Sequence, residues 1–368
     1  MRKRSIIAAL LAASAVLAPA CSKSAGPGDG DAARGEVLLS VSFRDPSTKV
    51  GSQSAANEKA IQNVQVFVFR AGSGGDAGNL EVAASAGFDT PIGATAGSWS
   101  GMTVKCSTGQ REVWAVVNDS RDRTRGSDAV ATKGDFLALT HELKDNAEAS
   151  LLMIGHSGTD ATPAVELHEG REELTIGVRR MVAAVILESV TNDFLSPTYQ
   201  KADMFRLEAC YLLNVPGRVD FALTSEPSAL PQEDWYARLE RETDTQRARL
   251  IADPLEGQML QYGKTYSVPH TFYTYPNNCA VSEDAAWSPR ATVLVLEASL
   301  YNGHDWAKYY YPVQLGTSPL RANRQYRVNL TVHRPGSLDP NTSVRFDDLT
   351  PVVTVSDWES GEVYDQDI

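Results

Sequence analysis

The stretch "GEVLLSVSFRDPSTKVG", residues 35–51, joins the pattern of a β-strand to a loop that contains basic residues. Every second position of its first half is apolar, namely Val37, Leu39, Val41 and Phe43. Successive side chains of a strand point to opposite faces, so this spacing predicts a strand with one buried face. Arg44 and Lys49 lie at its end and in the polar segment beyond it, which predicts an exposed loop within reach of a protease.

The first 21 residues have the pattern of a bacterial export signal. Three basic residues at positions 2–4 precede an apolar run over residues 6–17, which is too short to span a membrane comfortably. Small residues then lead to Cys21, so we predict that its thiol is acylated and that it becomes the mature N-terminus. A plain signal peptide cut near the same point is the alternative. Residues 22–34 are rich in Gly, Ser, Ala and Asp and predict a flexible stalk.

The charge balance of the chain is acidic. Lys and Arg total 34 and Asp and Glu total 46, which gives a formal net charge of −12. Nucleic acid is excluded as a partner on this ground, because such a chain offers no basic field to displace the counterions of a phosphate backbone.

Runs rich in β-branched and aromatic residues dominate the mature chain and predict an all-β fold of the β-sandwich class, with a few short helices. The clearest runs are 63–69, 112–118, 173–178, 181–190, 292–301, 308–315, 326–332 and 351–358. About 330 residues exceed what one core usually organises, so we expect two domains. A new apolar series begins after Arg179 and Arg180, which predicts an N-terminal domain over 35–178 and a C-terminal domain over 179–368.

Two stretches have helical spacing of apolar residues. They are "KGDFLALTHELKD", residues 133–145, and "QEDWYARLERETDTQRARL", residues 232–250. The second stretch interleaves acidic and basic residues. We interpret it as a solvated helix face with salt bridges, rather than as the paired carboxylates of a glycosidase.

No catalytic motif is present in the sequence. The six histidines lack the spacing of a zinc motif, and "GHSG" at 155–158 is not the G-x-S-x-G of a serine hydrolase. We therefore predict no enzyme activity, no metal site and no cofactor, and we interpret the histidines as loop residues that face solvent. They are His141, His156, His168, His270, His304 and His333.

Cysteines and aromatic residues leave two alternatives open. Cys106, Cys210 and Cys279 have no C-x-x-C spacing, so we expect buried free thiols, although one disulfide could form in an oxidising compartment. The aromatic clusters at 270–278 and 306–315 predict packing across strands, and a platform for sugar rings is the alternative.

Taken in order, these segments resemble the Bacteroidetes fimbrillin superfamily, the lipoprotein precursors of type V pili, and within it the major fimbrial subunit group. The resemblance rests on the signal and stalk, "EVLLSVSF", the basic loop, "EKAIQNVQVFVF", "REVWAVVND", "LTIGVRRMVAAVIL", "FYTYPNN", "YYYPVQLGTSPLRANRQYRVNLTVHRPGS" and "VTVSDWESGEV". Together they cover most of the mature chain.

The resemblance implies two transthyretin-like β-sandwich domains and transport to the outer membrane as a lipid-anchored precursor. It also implies that a trypsin-like protease cuts after a basic residue in the loop past the first strand. An Arg-specific enzyme would prefer Arg44, while Lys49 before Val50 aligns best with the site of the family. Cleavage would remove the strand that carries Val37, Leu39, Val41 and Phe43 and vacate its groove.

A C-terminal strand of the next subunit would then fill that groove. We expect the donor near residues 350–358, with Val353 and Val355 on one face and Val352 and Trp358 on the other. The partners implied are other copies of this chain and other fimbrial subunits, on the cell surface. The leading hypothesis is a structural stalk subunit that supports adhesion, because no further domain follows the last strand. A tip or anchor subunit that binds a glycan or partner is the alternative.

Overall fold

The computed structural model describes residues 35–44, 58–72, 74–94, 97–315, 319–344, 349–358 and 363–365. Cys21, the stalk and Lys49 lie outside these residues. No helix of the described residues is long and apolar enough to cross a membrane.

Strands make up most of the elements, and the all-β class predicted from the sequence is confirmed. The first ten are β1 (Glu36–Arg44), β2 (Val64–Arg70), β3 (Leu80–Ala86), β4 (Ser98–Ser107), β5 (Gly109–Val117), β6 (Thr140–Glu142), β7 (Met153–His156), β8 (Ala164–Leu167), β9 (Gly170–Gly177) and β10 (Arg179–Arg180). They are followed by β11 (Ala183–Asn192), β12 (Phe205–Leu213), β13 (Val215–Pro216), β14 (Arg218–Asp220), β15 (Trp235–Tyr236), β16 (Ala252–Met259), β17 (Thr265–Tyr266), β18 (His270–Thr274), β19 (Val293–Tyr301), β20 (Trp306–Gln314), β21 (Arg324–Val332), β22 (Leu349–Asp357) and β23 (Val363–Asp365).

The helices are short. Those that lie wholly within the described residues are α1 (Lys133–Leu137), α2 (Thr245–Ala248) and four 3₁₀ turns at Gly126–Asp128, Leu143–Asp145, Pro227–Ala229 and Gln232–Asp234.

Two sheets form the N-terminal half. Sheet I has the strand order β4-β1-β9, and sheet II has the order β10-β7-β5-β2-β3 with β8 also paired to β5. Strand β2 explains how the two sheets share a core: Val64, Val66 and Val68 join the apolar cluster that contains the buried face of β1. Phe67 and Phe69 point to the opposite face and join a second cluster. Both faces of β2 are therefore buried, which accounts for the unbroken apolar run from Val66 to Phe69.

Two further large sheets form most of the C-terminal half, together with the two-stranded ladder of β13 and β15. Sheet III has the order β17-β11-β21-β22-β23 with β18 also paired to β11, and sheet IV has the order β16-β12-β19-β20. The change from sheet II to sheet III falls between Arg180 and Ala183. Residues Gly35–Ile368 nevertheless form one compact unit. The division into two sandwich domains near residue 178 stays a prediction.

Both helix predictions are mostly wrong, because most residues of the two stretches are not helical. The first is confined to α1, where Thr132 and Asp135 form a capping box. It ends early because the carbonyl oxygens of Leu137 and Leu139 accept hydrogen bonds from the C-terminal half, namely from the backbone N–H groups of Ala222 and Phe221. Tertiary pairing thus replaces the helical bonds of this segment.

The second predicted helix, residues 232–250, contains one 3₁₀ turn, β15 and α2. Ala237 and Leu239 have φ angles of 49° and 59°, which a continuous right-handed helix excludes. Its Arg238, Arg241 and Arg249 side chains are exposed, as a solvated face predicts, but they do not belong to a continuous helix. Arg247 lies 4.8 Å from the Tyr236 ring, and the guanidinium groups of Arg241 and Arg238 lie over Tyr211 and Trp287.

Candidate strand-exchange site

Strand β1 lies in the middle of sheet I. It pairs antiparallel with β4 from Glu36 to Arg44, and parallel with β9 from Val37 to Arg44. Leu39, for example, lies opposite Val104 on one side and Glu172 on the other. Because both edges of β1 are paired, its removal leaves two strands with unpaired backbone groups and a groove between them.

The inward face of β1 is fully buried. Val37 and Leu39 have 0% of their surface exposed, and Val41 and Phe43 have 1%. Phe43 also stacks on Trp99 of β4, with ring centroids 5.8 Å apart. Fully burying such a side chain contributes about 1.5–3 kcal/mol, so the four together contribute on the order of 6–12 kcal/mol. This is comparable to the stability of a whole domain, so β1 does not leave its groove easily.

Sequence reasoning missed β4, which is one wall of this groove. Its buried side chains are Met102, Val104 and Cys106, and polar residues lie between them. This period of two is the same signal that identified β1, but a preceding turn-rich segment concealed it. Burial raises the pKa of the Cys106 thiol to about 11, so the thiol stays neutral and acts as an apolar side chain.

The two candidate cleavage residues differ in what the structure says of them. Arg44 is the last residue of β1 and lies opposite Ser98 and Gly177 in the two ladders. Its backbone is therefore held within sheet I. Lys49 lies outside the described residues, five positions beyond Arg44.

The candidate donor strand β22 lies in sheet III, between β21 and the short strand β23. It pairs antiparallel with β21 along its whole length. Leu349 and Val353 are buried, Val352 is 48% exposed, and Trp358 is buried just past the end of the strand. The side chain of Val355 lies outside the described residues.

Strand β22 has two neighbours, as β1 does, but its second ladder is much shorter. On the side away from β21, its partner within the described residues is β23, from Thr354 to Ser356. Its outward face also leaves Val352 in solvent. A strand with a short second ladder gains a full one when it enters a two-sided groove, and these main-chain hydrogen bonds favour strand donation.

Apart from Cys106 on β4, the remaining candidates from the sequence lie outside sheet I. Cys106, Cys210 and Cys279 are free thiols as predicted, but Cys279 is only half-buried. Most of the large aromatic residues of the two clusters are core residues, as packing across strands predicts: Tyr273, Tyr275 and Tyr311 are buried. Within the described ranges, no group of His, Cys, Asp and Glu side chains could hold a metal ion.

The expectation that all histidines face solvent is wrong for His141, which is 2% exposed. It lies on β6, between the two halves of the chain, and its Nδ1 is 2.8 Å from the Tyr275 hydroxyl. The β6 strand pairs with β14, and this pairing draws the side chain into the core.

Comparison with known proteins places the groove in a family context. Residues 38–165 match the family model described as "Major fimbrial subunit protein (FimA)", and this range includes most of β1, its partner β4 and most of sheet II. The matched family consists of structural subunits and is not a class of enzymes. A search of curated proteins found no match.

Solved structures share the fold over nearly the whole chain. A fimbrilin from Porphyromonas gingivalis W83 is 15% identical, with a TM-score of 0.56 over 89% of this chain and 99% of that chain. A candidate cell adhesion protein from Parabacteroides distasonis ATCC 8503 is 15% identical, with a TM-score of 0.59 over 89% and 98%. Another, from Bacteroides eggerthii DSM 20697, is 16% identical, with a TM-score of 0.58 over 88% and 96%. At such identities these structures establish the fold.

The chain therefore has the all-β fold of these fimbrilin and cell adhesion protein structures. The resemblance to the Bacteroidetes fimbrillin superfamily is confirmed, and residues 38–165 carry the match to its major fimbrial subunit family.

Proposed function

We propose that this chain is a structural pilin subunit of outer-membrane type V fimbriae, assembled by strand exchange after proteolysis. The observation that carries the proposal is the place of β1: a strand with neighbours on both sides and a fully buried inward face, which runs directly into the segment containing Arg44 and Lys49. A strand so placed acts as a plug for an otherwise apolar groove with two open edges, which would be prone to aggregation.

Cleavage is the switch in this proposal. While β1 is covalently attached, its effective concentration at the groove exceeds that of any strand from a separate subunit. Cutting after Arg44 or Lys49 removes that advantage, and β22 of another subunit then takes the groove. Before cleavage the precursor is held at the outer membrane by a lipid on Cys21, and afterwards the subunit is part of a cell-surface fimbrium that supports adhesion.

The test is a precursor that cannot be cut. Arg44→Ala with Lys49→Ala should yield a lipid-anchored monomer that retains β1, while each single change identifies the bond that is cut. Lys105→Ala is the matched control, because Lys105 is an exposed basic residue on β4 beside β1 and forms an ion pair with exposed Glu36. Processing is measured by intact mass and assembly by electron microscopy.

Two outcomes would contradict the proposal in different ways. Fibres of normal length from the intact double variant would show that assembly does not need cleavage. The second outcome concerns where labelled native chain lies in the fibre. If it were found only at the outer end or only at the cell-surface end of the fibre, the tip or anchor subunit would be favoured over the stalk subunit.

A further inference from the structure

A buried cluster joins the chain just after the processing segment to the end of β22. Glu58 is the first described residue after 45–57, and its carboxylate lies against the indole of Trp358. Trp358 Nε1 donates a hydrogen bond to one carboxylate oxygen of Glu58 at 3.2 Å, and the Tyr273 hydroxyl donates to the other at 2.8 Å. All three residues are buried.

Two side chains of the cluster also contact the indole ring of Trp358. The Arg180 guanidinium lies 4.5 Å from the Trp358 ring centroid, and Tyr273 stacks on the ring with an interplanar angle of 11°. Arg180 donates from Nη2 to the backbone oxygen of Glu58 at 3.0 Å. The Trp358 backbone N–H donates to Asn323 at 3.2 Å, and the Asn323 side-chain oxygen accepts from the Arg180 backbone N–H.

The chemistry of the cluster requires the indole. A buried carboxylate is stable only when its oxygens accept hydrogen bonds, so withdrawal of Trp358 leaves one oxygen of Glu58 without this donor. Burial and the Glu58 carboxylate raise the pKa of Tyr273 well above its ordinary value, so its hydroxyl keeps its proton and remains a donor. Withdrawal of Trp358 also removes the indole face that the Arg180 guanidinium contacts.

We infer that Glu58, Arg180 and Tyr273 form a binding pocket for the Trp358 indole, and that this pocket locks β22 onto its own sheet. The lock compensates for the weak hold on the strand itself, which is paired mainly on one side and leaves Val352 exposed. The role of this lock rests on the proposed function. A donor strand must remain paired in its own sheet in the monomer and be released only during assembly.

Hydrogen exchange of the uncleavable precursor tests the lock without any fibre assembly. Trp358→Phe keeps an aromatic ring but removes the N–H donor, and Glu58→Gln keeps the size of the acceptor side chain but removes its charge. Each change should speed exchange of the β22 amides about tenfold or more, while the amides of β19 keep their native rates.

Trp306→Phe is the matched control, because Trp306 also lies under an arginine, Arg206 at 4.5 Å, but is exposed on β20. It should leave β22 exchange unchanged. Native β22 rates in both Trp358→Phe and Glu58→Gln would overturn the lock, and so would equal acceleration of β22 and β19, which indicates global destabilisation.

Fibre assembly of the cleavable Trp358→Phe chain then tests the function separately. If β22 is the donated strand, the unlocked chain should assemble faster than the native chain. Faster β22 exchange with unchanged assembly would support the lock and overturn the donor role of β22.

Discussion

At the residue scale, His141 is a buried group that can change charge near neutral pH. Its Nε2 lies 3.9 Å from the Asp119 carboxylate and has no hydrogen-bond partner in the described part of the chain. Burial lowers the pKa of His141 below its ordinary value of 6.5, although the charges of Asp119 and Asp145 act in the opposite direction. The folded protein therefore keeps this ring neutral where the unfolded chain would protonate it.

This difference predicts a loss of stability on acidification. Below pH 6.5 the unfolded chain binds a proton at His141 that the folded chain does not, so the free energy of unfolding falls as pH drops from about 6.5. The slope contributed by one such group approaches about 1.4 kcal/mol per pH unit until the folded pKa is reached. Urea unfolding at pH 7.5 and 5.5 measures it.

His141→Asn should remove this share of the pH dependence and keep an acceptor near the Tyr275 hydroxyl. His304→Asn, at an exposed position, is the control and should follow the native pH profile. The same pH profile for native protein and His141→Asn would refute the assignment.

At the element scale, β7 of sheet II and β9 of sheet I approach each other without room for a side chain. A Cβ added to Gly155 would lie 2.1 Å from the carbonyl oxygen of Gly177 and 2.9 Å from its carbonyl carbon. Since β9 is one wall of the β1 groove, this contact sets where that wall stands. A Cβ added to Gly177 itself meets nothing within 4 Å.

The pair gives a matched prediction. Gly155→Ala must push two backbones apart and should lower the free energy of unfolding by about 1–3 kcal/mol. It should also speed amide exchange in β1, because β9 moves away from it. Gly177→Ala should change stability by less than about 0.5 kcal/mol. Urea unfolding with hydrogen exchange compares them, and equal effects of the two changes would show that the close approach is not a constraint.

At the scale of the whole molecule, side chains from both halves share one core. The cluster that contains Phe67 and Phe136 also contains Leu207 and Leu294. The Tyr275 hydroxyl, from the C-terminal half, contacts His141 Nδ1 and accepts from Asn146 Nδ2 at 3.1 Å. The β6–β14 ladder adds backbone hydrogen bonds between the same halves.

We therefore expect the described body to unfold as one cooperative unit. Under conditions where exchange reports global opening, amides of β2 and β19 should give the same free energy of unfolding. Tyr275→Phe should lower both values together by about 1–3 kcal/mol, since buried His141 and Asn146 lose a partner.

Tyr262→Phe, at an exposed tyrosine, is the control and should leave both values unchanged. A Tyr275→Phe change that lowers one value by more than about 1 kcal/mol and leaves the other would establish two independent units.

The sequence by itself determined the strands with a clear period of two or a long apolar run, such as β1 and β2, because local side-chain alternation is enough to define a half-buried strand. It also determined the acidic charge, the absence of catalytic motifs and the order of segments that resembles the fimbrillins. Tertiary structure alone decided that β1 has neighbours on both sides, that residues 133–145 turn from helix to strand, and that His141, Glu58 and Trp358 are buried. These features depend on partners far away in the sequence, as in the 300-residue separation of Glu58 and Trp358, and a local pattern carries no record of such distant contacts.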